Sequence, residues 1–171
     1  MMSEQTRRII GFDPGLRMTG WGVVEMVRGK LVHIANGSIS SNARFTLAER
    51  LLQLDEGLSA VLSAWQPGEA AVENTFVNKD GAATLKLGQA RAISLLAPAR
   101  FGISVAEYAP NEIKKTVTGA GHANKHQILA MLSMLLPKAE IGDEHAADAL
   151  AIAICHAHMT QNLGSRIKVK L

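Results

Sequence analysis

Two carboxylates in this chain stand where an apolar run stops. Asp13 ends Arg8-Ile9-Ile10-Gly11-Phe12 and is followed at once by Pro14-Gly15, so the strand implied by that run halts at a tight turn with the acid at its end. Glu73 closes Ala70-Ala71-Val72 in the same manner. A single acid before Pro-Gly is also an ordinary turn former, and a single acid at a strand end is also an ordinary edge group. Two in one sheet are harder to account for that way, because neighbouring carboxylates repel and a cation lets them sit together. A third acid, Asp148, lies within Ala146-Ala147-Asp148-Ala149-Leu150-Ala151-Ile152, a helical stretch so apolar that an unpaired charge there would be costly. His145 precedes it by three residues and shares its helix face. Asp, Glu, Asp and His form an oxygen-rich donor set without thiolate, which suits Mg²⁺ or Mn²⁺ better than structural zinc. Ions of this kind, held in pairs about 4 Å apart, serve phosphodiester hydrolysis in nucleases and polymerases.

The elements that must position these groups follow from periodicity. Residues 8–13, 21–27 and 31–39 read as three strands, the last two joined by Arg28-Gly29-Lys30 in an antiparallel meander. Leu47, Leu51, Leu54, Leu58, Val61, Leu62 and Trp65 recur at helical spacing, and Pro67-Gly68 ends that helix. Residues 70–73 form a short buried strand, 74–81 a polar loop, 82–98 a helix rich in small residues and 103–108 a further strand. Pro110 opens a helix, Gly119-Ala120-Gly121-His122 breaks the pattern, and Asn124 caps a helix through Ile128, Leu129, Leu132 and Leu135 with Met131 and Met134 at core spacing. Asp143 or Glu144 starts a last helix through Cys155 and His158, where their charges complement its dipole. The class is α/β, with a mixed five-stranded sheet that begins as an antiparallel meander, continues with parallel strands and is flanked by helices.

The chain's 171 residues are read as one domain, 1–171, with a core of about residues 8–160 and a flexible basic tail over 164–171. Hydrophobic residues at 47% and charged ones at 19% exclude a disordered composition. No apolar run approaches the ~20 residues of a membrane span, and residues 1–8 lack an export signal. The single Cys155 excludes an internal disulfide framework and is expected to be a buried apolar group. A cytoplasmic protein without membrane partners is expected. The net charge is only +3, yet residues 74–137 carry seven Lys and Arg against three acids. That leaves a polyanion partner open beside the plainer reading of solvated surface charge. His122, His126, His156 and His158 read as surface or helix-packing residues.

Gly11-Phe12-Asp13-Pro14-Gly15, then Glu73-Asn74-Thr75-Phe76 with Leu85-Lys86-Leu87-Gly88-Gln89-Ala90-Arg91, then His145-Ala146-Ala147-Asp148-Ala149-Leu150-Ala151, resemble in order the motifs of the RuvC family of bacterial Holliday junction resolvases. The resemblance runs from about Arg8 to His158. It implies a ribonuclease H-like fold and a homodimeric, Mg²⁺-dependent endonuclease with two ions per subunit, in which Mn²⁺ substitutes. The implied activity is resolution of four-way junction DNA by paired symmetric nicks that leave 5′-phosphate and 3′-hydroxyl ends. Asp13, Glu73 and Asp148 match the family's metal-binding carboxylates. His145 falls where familiar members carry another Asp, although His also occurs there, and its implied role is that of a ligand or a positioned acid or base. Phe76 is implied to stack on an unpaired base, Lys114 and Lys125 to contact DNA, and Lys115 is an adjacent candidate. RuvA and RuvB are the implied protein partners, and the 82–98 helix is expected at the dimer contact unless it packs on its own sheet. The alternatives are a non-catalytic junction-binding protein, against which the intact acids speak, and an actin- or sugar-kinase-like nucleotide-binding domain. The latter needs two such domains to enclose its nucleotide.

Overall fold

The computed structural model describes residues 6–74 and 79–167, with side-chain surroundings described as far as Gln161. The elements in chain order are β1 (Arg7–Asp13), β2 (Met18–Val27), β3 (Lys30–Ser40), α1 (Leu47–Trp65), β4 (Glu69–Glu73), α2 (Gly81–Arg100), β5 (Ser104–Tyr108), α3 (Pro110–Thr118), α4 (Lys125–Leu135) and α5 (Glu144–Ile167). The five strands form one sheet in the order β3-β2-β1-β4-β5. The β1-β2 and β2-β3 pairs are antiparallel, whereas β1-β4 and β4-β5 are parallel. This is the mixed α/β sheet expected from the sequence.

Helices cover both faces. On one side Ile10, Phe12, Val23, Ala70 and Val72 pack with Leu58 and Leu62 of α1 and Ala97 of α2. On the other, Ile9, Val24 and Ala71 pack under Leu150, Ile154 and Cys155 of α5, with α3 and α4 alongside. Burial on both faces explains why β1 and β4 read as unbroken apolar runs. Helix starts follow local chemistry: Thr46 and Glu49 form a capping box on α1, Asn124 and Gln127 another on α4, Asp80 caps α2, and Pro110 opens α3.

Three local expectations change. Met134, placed in the core by its spacing, is 74% exposed, because α4 buries only Ile128 and Leu132 and leaves its outer face to solvent. The last helix continues past Gly164 to Ile167, while Lys168 to Leu171 lie outside the described residues. His156 is neither a surface residue nor a plain packing group. It is 7% exposed and hydrogen-bonded at both ring nitrogens, to Tyr108 and Glu69.

Candidate active site

Alternation along the strands puts Ile9, Gly11 and Asp13 of β1 and Glu69, Ala71 and Glu73 of β4 on the face covered by α5. Both acids are the last residues of neighbouring parallel strands, so both emerge at the same sheet edge. The start of α5 reaches that edge because the sheet beneath it is bare backbone at Gly11 and Gly20. A Cβ on Gly11 would lie 2.1 Å from the Ala149 carbonyl oxygen, and one on Gly20 would lie 2.1 Å from that of His145. Asp143, just before the helix, accepts a hydrogen bond from the Ala146 amide at 2.9 Å and another from the Ser38 hydroxyl on β3. The charge read as a helix-start acid therefore also ties the start of α5 to β3.

Asp13 and His145 meet directly, with the imidazole Nδ1 2.9 Å from Asp13 Oδ2. An ionised carboxylate only accepts, so Nδ1 carries the proton toward Asp13 and Nε2 is left outside that bond. Burial pushes the Asp13 carboxyl above its usual range, while the His145 hydrogen bond and charge pull it back. Asp148 is likewise raised, by burial and then by Asp13, with Lys125 and His145 opposing. Glu73 is raised furthest, to about 7, by burial and by repulsion from Asp13 and Asp148, with Lys114 opposing. The acids thus lie close enough to penalise one another's charge.

A cleft of about 360 Å³ is lined by Glu73, Asp148, Lys114, Asn124 and Lys125, with Ile113, Ile128 and Ile152 among its walls. The structure therefore brings together Asp13, Glu73, His145 and Asp148, and sets Lys114 and Lys125 at the same opening. Lys115 goes elsewhere. One residue further round α3, it lines a separate cleft with His122 and His158. Phe76 lies outside the described residues. Sequence reasoning missed the 2.6 Å ion pair between Lys125 and Glu144 at the rim, and it took Asn124 for a helix cap alone. No local signal marks the first, since its partners are nineteen residues apart and belong to different helices.

Among the described residues, no three His, Cys, Asp or Glu side chains are drawn together closely enough to hold an ion as they stand. The donor chemistry nevertheless fits a hard divalent cation: three carboxylates, one imidazole nitrogen and no thiolate. Burial and then repulsion among the acids raise Glu73 and Asp148, and a bound cation would offset both.

Comparison with known proteins covers the same stretch of chain. The family model described as crossover junction endodeoxyribonuclease RuvC matches residues 9–156. The crossover junction endodeoxyribonuclease RuvC of Bradyrhizobium diazoefficiens is 63% identical over 162 residues, covering 95% of this chain and 93% of that protein. That of Rhizobium meliloti is 58% identical, covering 96% of each. Thermus thermophilus RuvC, solved in complex with Holliday junction substrate, superposes with a TM-score of 0.84 at 30% identity, covering 91% of this chain and 95% of that one. The match spans all three acid-bearing elements, and the chain belongs to the RuvC family of crossover junction endodeoxyribonucleases.

Proposed function

We propose that this protein is a structure-selective endonuclease that resolves four-way DNA junctions by paired symmetric nicks. The observation that carries the reading is the placement of Asp13, Glu73 and Asp148, from three separate elements, beside a cleft rimmed by Lys114 and Lys125. Family membership supplies the reaction class, and the junction complex of the Thermus relative supplies the substrate. Asp13, Glu73 and Asp148, with His145 Nε2, are the groups that would hold Mg²⁺, two ions per subunit, with Mn²⁺ able to substitute. When bound, such ions supply an activated water and neutralise charge on the leaving oxygen of a phosphodiester.

The chain's own residues do the rest. Asp13 fixes the His145 ring through its hydrogen bond and leaves Nε2 free to ligate or to accept a proton from water. Lys114 and Lys125 meet backbone phosphates, which positions DNA without reading sequence. Cleavage leaves 5′-phosphate and 3′-hydroxyl ends. We assign the protein to the cytoplasm as a homodimer working with RuvA and RuvB. In support, no helix among the described residues is long and apolar enough to cross a membrane, and α2 presents Leu85 and Leu96 to solvent along an outward row with Gly88 and Ala92. A two-fold dimer would place one site on each of two opposed strands.

The test is cleavage of a labelled four-way junction and a matched linear duplex with Mg²⁺, Mn²⁺ or EDTA, beside the Asp13→Asn protein. Symmetric, metal-dependent nicks in the junction alone, absent in the variant, are expected. Tight junction binding without nicks under either metal would replace this reading with that of a non-catalytic junction binder.

A further inference from the structure

The second, unused cluster of polar side chains lies on the same sheet face as the acids, centred on Arg7 and Glu69 at the opposite end of β1 and β4 and joined by the side chain of Tyr108, whose backbone pairs with Glu73. Arg7 donates from Nε to Glu69 Oε1 at 2.7 Å and from Nη2 to Glu69 Oε2 at 2.6 Å. The same Nη2 donates to Thr160 Oγ1 of α5 at 2.6 Å. Glu69 Oε2 also lies 2.8 Å from His156 Nε2, and Nδ1 of that ring lies 2.8 Å from the Tyr108 hydroxyl. Since the carboxylate only accepts, Nε2–H donates to Glu69 and the Tyr108 O–H donates to Nδ1, so one tautomer satisfies the whole chain of bonds. The network joins β1, β4, β5 and α5. Three of these, β1, β4 and α5, are the elements that carry Asp13, Glu73 and Asp148.

The spacings match. From Glu69 to Glu73 the strand rises about 13 Å, at roughly 3.3 Å per residue. From Asp148 to His156 the helix rises about 12 Å, at roughly 1.5 Å per residue. A register that pairs His156 with Glu69 therefore also sets Asp148 level with Glu73. The intervening contact is apolar and carries no side-chain hydrogen bond among the described residues. Gly11, Gly20 and Gly22 set how closely α5 approaches, with Leu150 seated over Gly22, and the buried Ala146, Ala149 and Ala153 add a surface whose packing is non-directional. The hydrogen bonds of Glu69 and His156 add a directional restraint to that apolar contact.

We propose that Arg7, Glu69, His156 and Tyr108 are positioning residues for the metal site: their hydrogen-bonded clamp sets the axial register of α5 and so holds Asp148 and His145 at the right height beside Glu73 and Asp13. The inference rests on the reading of those acids as the metal site. Glu25 provides the control. It bonds Arg8 at 2.8 Å, and Arg8 in turn bonds the Trp65 carbonyl, on the sheet face away from α5.

The experiment measures Mn²⁺ affinity of the metal-free protein by calorimetry. It also measures the Mg²⁺ concentration giving half-maximal single-turnover cleavage at saturating junction, and the melting midpoint, for Glu69→Gln, Tyr108→Phe, Glu25→Gln and Asp148→Asn. Tyr108→Phe deletes one hydroxyl and keeps the residue's size, so it remains informative if Glu69→Gln fails to fold. The clamp variants are expected to weaken Mn²⁺ about tenfold and to raise the Mg²⁺ requirement equally, with junction binding in EDTA unchanged. Glu25→Gln should lower the midpoint and leave both metal readouts alone. The proposal is overturned if the clamp variants only lower the midpoint, or if Glu25→Gln shifts metal affinity as much as they do. If Asp148→Asn binds Mn²⁺ like the unaltered protein, the site reading falls and this inference with it. If Asp148→Asn loses the metal and the clamp variants do not, this inference alone falls.

Discussion

Glu73 is held in a position that costs it its charge. Its folded pKa of about 7, against an ordinary 4.5, means that between those values the folded chain keeps a proton that the unfolded chain has released. Stability of the metal-free protein therefore falls as pH rises from about 4.5 and the penalty is complete above about 7, the reverse of the usual carboxylate behaviour. Glu73→Gln should raise the melting midpoint in EDTA at pH 8, leave it little changed at pH 4.5, and abolish cleavage; thermal melts at both pH values decide it. At the basic rim, Lys114→Ala and Lys125→Ala should each flatten the salt dependence of junction binding by roughly one unit of log–log slope, whereas Lys115→Ala should flatten it less. Binding titrations across a salt series read this directly. The three acids could be found in the sequence because each violates the apolar run around it. The Asp13–His145 bond and the split between Lys114 and Lys115 could not, since the first joins residues 132 apart and the second depends on the rotation of one helix about its axis.

At the scale of elements, α5 does most of the positioning. Its approach to β1 and β2 depends on bare backbone, and Gly11→Ala would drive a methyl carbon to within 2.1 Å of the Ala149 carbonyl. Backbone cannot yield as a side-chain tip can, so a loss of about 3 kcal/mol or more is expected in denaturant unfolding, at the upper end of overpacking costs. Asn124→Ala should cost about 1 kcal/mol through loss of the α4 cap, with the same measurement as check. Element types were legible because turn and cap residues agree with periodicity: Pro110, Asn124 and Pro67-Gly68 each stand within a residue or two of a helix end. Met134 misled because helical spacing shows that a face is apolar and not whether anything covers it. The run of α5 past Gly164 was missed because a lone glycine weakens a helix without ending it.

The whole molecule places its acid-bearing edge and its outward apolar row on different elements. Leu96 of α2 is half exposed and remote from Asp13 in the topology, with β1 and β4 between α2 and α5. Leu96→Glu should therefore yield a monomer by sedimentation that still binds divalent metal but nicks one strand of a junction at a time. Retention of the dimer would move the interface to another face.

The acids of the site come from positions 13, 73 and 148, and the last of them belongs to the final helix. During synthesis the first two-thirds of the chain can lay down β1 and β4 and still lack the third carboxylate. On the proposed site, a product that stops before α5 lacks Asp148 and should not nick junction DNA, so the order of the elements would make translation itself a safety catch.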